Sequence, residues 1–87
     1  MSTLARMDRH ADLVNRMSKA VGADLGAAIW AGNLRAEALR DAVLRCAGCD
    51  HAEECRHWLD DRAAAPGPVA PPAYCRNRAL LSALAAT

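Results

Sequence analysis

Cys46, Cys49, Cys55 and Cys75 are the residues of this chain whose type and spacing most readily do chemistry. They read C-x2-C-x5-C-x19-C in a chain of 87 residues, and no cysteine lies outside the set. Thiolates bind soft or borderline cations, and a C-x2-C turn brings two sulfurs towards a common centre. Gly48, inside the pair, reads as the residue that permits a tight backbone turn there. Cys55 and Cys75 come from two further segments and close the set.

Four cysteines admit other uses. Two disulfides require an oxidising compartment, and the first ten residues have scattered charges and no apolar stretch of the kind that directs export. Free cysteines also serve as small buried hydrophobes. Grouping around a glycine turn, with none elsewhere, favours a metal over both. A single zinc ion bound by four thiolates has Zn–S bonds of about 2.3 Å and usually uses two short chelating pairs. Here there is one pair and two singletons. A 4Fe–4S cluster spreads its ligands over separate irons and takes that pattern more readily. C-x2-C-x5-C also resembles part of the iron–sulfur loop of the endonuclease III type of DNA glycosylase, where the fourth cysteine precedes the trio instead of following it. A 4Fe–4S cluster is thus the first expectation and one zinc ion the alternative.

The flanking residues add less. Trp58, three residues after Cys55, and Tyr74, beside Cys75, could shield a centre from water, but both serve equally well as core. His51 and His57 could replace a sulfur, though exposed helix histidines are commoner. Arg56, Arg76 and Arg78 could offset the negative charge of a thiolate-bound centre. Asn77 could hydrogen-bond a ligand sulfur or hold the local turn.

The elements that must position these residues are helical. Leu4, Met7, Ala11, Val14, Ser18 and Val21, joined by Leu13 and Met17, recur at three- and four-residue spacing and form an apolar helix stripe. Gly22 is placed to end that helix in a left-handed cap, and Asp24 to cap a short helix over Leu25 to Trp30. Gly32-Asn33 breaks the chain before a third helix, Leu34 to Arg45, in which Asp41 and Arg45 are spaced for an ion pair. Asp50 and Glu53 have capping-box spacing for a fourth helix from His51 to about Ala64. Pro66 to Pro72 reads as a stiff connector. Pro72 would then open a final helix carrying Cys75 in its first turn and burying Leu80, Leu81 and Leu84. The expected fold is all-α, a single domain over 1–87. Four to five short helices form a bundle, helical in 1–45 and stapled through 46–87 by the four-cysteine metal site.

The motif as a whole resembles a family of small bacterial proteins of unknown function. Their shared pattern is C-x2-C-x5-C-x2-W-L with a later (F/Y)-C-x-N. It matches Cys46 through Trp58-Leu59 and then Tyr74-Cys75-Arg76-Asn77, and the upstream Gly22-Ala23-Asp24-Leu25 also fits. The family opens its third helix with Ser-Pro, where this chain has Arg35-Ala36. The resemblance implies a compact helical domain with gathered cysteines, and no assigned activity.

Composition narrows the function. Eleven Lys and Arg face ten Asp and Glu, for a net charge of +1. Arg6, Arg9, Arg16 and Lys19 on the first helix form no basic stripe strong enough to make nucleic acid the leading partner. No apolar run approaches the roughly 20 residues that span a bilayer. There is no P-loop, dinucleotide fingerprint or nucleophile paired with a base, so an enzyme is not expected. With no Phe and only three aromatics, a small core gains from an inorganic staple. The expectation is a cytoplasmic metal-binding protein that transfers electrons or senses redox or iron status through a protein partner. The alternative is a zinc-stapled adaptor for protein–protein interaction. The oligomeric state is left open.

Overall fold

The computed structural model describes residues 3–62 and 68–86, with side chains from Arg6 onward. Five helices follow in order: α1 (Thr3–Val21), α2 (Leu25–Trp30), α3 (Ala36–Ala47), α4 (Ala52–Arg62) and α5 (Arg78–Ala85). Among the described residues there is no strand. The all-α expectation holds.

The longest helix, α1, is the spine, and α3, α4 and α5 all pack on it. Its apolar stripe explains this. Leu13, Val14, Met17 and Val21 are buried, and with Ala23, Leu59 of α4 and Leu81 of α5 they make most of the core. Ser18, on the same stripe, is buried too, with its hydroxyl donating 2.7 Å to the Asn15 carbonyl. Ala11, expected on that face, is exposed; His10 is buried instead, at 8% exposure. His10 lies three, four and seven residues before Leu13, Val14 and Met17, so it shares their face.

The turn after α1 obeys local rules. Gly22 has φ +82°, and Ala23 N–H donates back to the Ser18 carbonyl at 2.8 Å. Asp24 caps α2, its Oδ1 accepting from Ala27 N–H at 2.9 Å. Gly32 has φ +80° and breaks the chain as expected.

Later boundaries depart from expectation. Helix α3 begins at Ala36, after an Arg35 that makes no side-chain cap, and runs two residues beyond Arg45 to Ala47. Helix α4 starts at Ala52. The polar contact at its entrance joins His51 Nδ1 to Glu54 Oε1 at 2.9 Å, while Glu53 accepts from Arg56 at 2.8 Å. The expected end of α4 near Ala64, and Pro66 and Gly67 of the connector, lie outside the described residues. Pro68 to Pro72 is without regular secondary structure. It crosses the end of α1: Val69 N–H donates to the Ala20 carbonyl at 3.1 Å, and a Cβ on Gly22 would stand 2.9 Å from Pro68 Cβ. Helix α5 starts at Arg78, not Pro72. Of its expected apolar side, Leu81 is 1% exposed and Leu80 and Leu84 are half-buried.

Candidate functional site

All four cysteines are free thiols, each half-buried. They line one cavity of about 30 Å³ with Leu13, Val14 and Met17 of α1 and Leu81 of α5. The fold thus gathers the four predicted residues at one place and walls them with the core.

Each thiol is presented by a different local device. Cys46 is in the last turn of α3, and Cys49 follows in the turn that ends it, its N–H donating to the Cys46 carbonyl at 3.0 Å. Gly48 between them has φ −87° and ψ 0°, a conformation open to any residue. The turn therefore does not need glycine, contrary to the expectation from sequence. Cys55 is in the second turn of α4. Cys75 lies outside α5, in the turn that leads into it, with its N–H on the Pro72 carbonyl at 3.0 Å and Arg78 N–H on its own carbonyl at 3.2 Å.

Asn77 holds that turn against α3. It is 4% exposed; its Nδ2 donates to the Ala42 carbonyl and its Oδ1 accepts from Arg45 Nε, both at 2.8 Å. Arg45 is thereby used across the fold, and no Asp41–Arg45 ion pair occurs among the described residues. The Asn77 backbone also favours the charged form of the Cys75 sulfur. Of the two roles open to Asn77 in the sequence, its side chain performs the structural one.

The surroundings favour the protonated form of Cys46, Cys55 and Cys75. Burial, and then the neighbouring cysteines, push Cys46 up to about 11. Burial also raises Cys55 and Cys75, with Arg16 and Arg56 pulling Cys55 down and the Asn77 N–H and Arg78 pulling Cys75 down. A neutral thiol is a poor nucleophile.

Neither predicted histidine lines the cavity. His51 stacks on Tyr74, with ring centroids 4.7 Å apart, and His57 is exposed. The imidazole that reaches the cysteines is His10, whose Nδ1 is 3.5 Å from Cys46 Sγ. Sequence reasoning passed over it, although its place on the α1 stripe was the available signal. Trp58 packs against the core with Arg62 over its ring at 5.5 Å, and exposed Arg76 and half-buried Tyr74 line the cavity. Among the described residues, no three His, Cys, Asp or Glu side chains stand in an arrangement that could hold a metal ion.

Over residues 1–87 the chain matches DUF6455, a family of unknown function. The chain belongs to this family. No curated protein and no solved structure matches it. Among the described residues of this DUF6455 member, no helix is long and apolar enough to cross a membrane.

Proposed function

We propose that this DUF6455 protein is a metalloprotein whose Cys46, Cys49, Cys55 and Cys75 hold a 4Fe–4S cluster, and that the four-cysteine motif is a shared feature of its family. The observation that carries the reading is the lining of one apolar cavity by every cysteine of the chain, all as free thiols. The donor set fits: four sulfurs from one turn pair and two singletons suit a centre with several metal atoms. When bound, such a cluster exchanges one electron at a time.

The chain's own residues supply the rest. Leu13, Val14, Met17 and Leu81 keep water from one side of the site. Arg16 and Arg56 beside Cys55, and Arg78 beside Cys75, offset the charge of the thiolates. Loading releases the thiol protons to solvent, so it weakens as pH falls. On this reading the protein works in the cytoplasm as an electron carrier or a redox or iron sensor for a protein partner, not as an enzyme.

A single zinc ion is the second reading. The cavity size favours it, since about 30 Å³ holds one ion or a water or two. Four-thiolate zinc leaves no open coordination position, so the protein would then be a stapled adaptor.

Purification without oxygen tests both. The cluster predicts a brown protein that bleaches with dithionite and carries iron and acid-labile sulfide in equal amounts. A colourless protein with stoichiometric zinc supports the adaptor. A protein with neither metal after anaerobic reconstitution sinks the metal reading.

A further inference from the structure

We propose that His10 is a positioning residue of the cysteine site, donating its Nδ1–H to the sulfur of Cys46 when that sulfur is ligated. The inference rests on the metal reading above. It starts from a contact that joins segments 36 residues apart, the first helix and the end of the third. The ring is 8% exposed, and Cys46 Sγ at 3.5 Å is its hydrogen-bond partner among the described residues.

The chemistry of ligation fixes the direction of this bond. In the metal-free protein the shared proton can belong to the thiol or to the ring. Ligation forms a metal–sulfur bond and breaks the S–H bond, and the proton leaves to solvent. A ligated sulfur has no proton and can only accept. The contact then persists only as Nδ1–H···S, which places the ring proton on Nδ1. Such a donor orients Cys46 and withdraws electron density from its sulfur, in the way outer partners orient and tune metal ligands and hydrogen bonds to sulfur set cluster potentials.

The test uses the full chain labelled with ¹⁵N and loaded with ¹¹³Cd(II), a thiophilic ion with a nuclear spin. Imidazole-tuned ¹H–¹⁵N spectra are expected to show His10 protonated at Nδ1, with that proton scalar-coupled to cadmium through the Cys46 sulfur. His10 protonated at Nε2 without coupling overturns the proposal, and so does a directly cadmium-bound His10 nitrogen. The first of those results leaves a four-thiolate site standing, and the second makes the imidazole itself a ligand. A chain that binds no cadmium overturns the proposal, while the iron and sulfide contents of the anaerobic protein judge the underlying reading separately. In parallel, His10→Ala is expected to lose about 10–100-fold in cadmium affinity, and His10→Gln, which keeps an N–H donor, to recover most of it. Equal affinity in His10→Ala and the parent chain also overturns the proposal.

Discussion

Cys46 and His10 touch, and burial moves both towards their neutral forms. Their effects on stability fall at opposite ends of the pH range. Cys46 holds its proton to about 11 in the fold against an ordinary 9.0. Between those values the unfolded chain has released a proton that the fold keeps, so stability falls as pH rises from about 9 to about 11. His10 is depressed below 6.5, by burial first and then by Arg6, Arg56 and Arg9. The unfolded chain therefore takes up a proton before the fold does, and stability falls as pH drops below 6.5. Urea titrations of the metal-free protein across pH are expected to trace a dome with its top in the neutral range. A profile still rising at pH 10 contradicts the burial of Cys46. A second prediction concerns Cys55, whose replacement by Ser removes a soft ligand while keeping nearly the same volume. Metal content after anaerobic reconstitution is expected to drop sharply in Cys55→Ser. Full content would show that this thiol is not a ligand.

The helices were legible in the sequence where their signals are local. The α1 stripe, the left-handed Gly22 and the Asp24 cap each depend on residues within one or two turns, and all three are present. The start of α5 was misread because its cause is distant. Pro72 is a good first helical residue, but Asn77 is committed to Ala42 and Arg45 of α3, and the chain before it must turn to deliver Cys75. The same applies to Gly48, where the presence of glycine suggested a strained turn that the backbone does not make. Asn77→Ala is expected to cost about 1–3 kcal/mol, since it leaves the Ala42 carbonyl and the Arg45 guanidinium without their partner. Thermal unfolding of the metal-free variant checks this; an unchanged midpoint would show that the clamp contributes nothing. Gly22→Ala is expected to cost about 1–2 kcal/mol for the left-handed backbone alone. It costs more if Pro68 cannot retreat from the new Cβ. A variant as stable as the parent would place the connector elsewhere.

At the scale of the whole molecule, core and site are one object. Cys46, Cys55 and Cys75 pack against the same cluster that contains Leu13, Met17, Leu59 and Leu81. The gathering of the four cysteines was readable from their spacing, but the side of the cavity built by α1 was not, because nothing in C-x2-C-x5-C-x19-C refers to residues 13 to 17. Met17→Ala is expected to destabilise the fold by about 2–5 kcal/mol. It should also weaken metal retention, although Met17 is no ligand in this reading. Measuring denaturation midpoint and metal content together checks the coupling. A variant that loses stability yet keeps its metal unaltered would make core and site independent. Trp30, by contrast, is 94% exposed and lines no part of the cavity, so Trp30→Ser is expected to leave both readouts unmoved.

The turn bearing Cys75 and the Leu81 side chain behind it are among the last parts of the cavity to be synthesised. A nascent chain emerging from the ribosome exposes Cys46, Cys49 and Cys55 while the closing wall is still inside the exit tunnel. The cavity cannot be completed during translation of α4, so the fully walled site exists only once α5 has joined the scaffold.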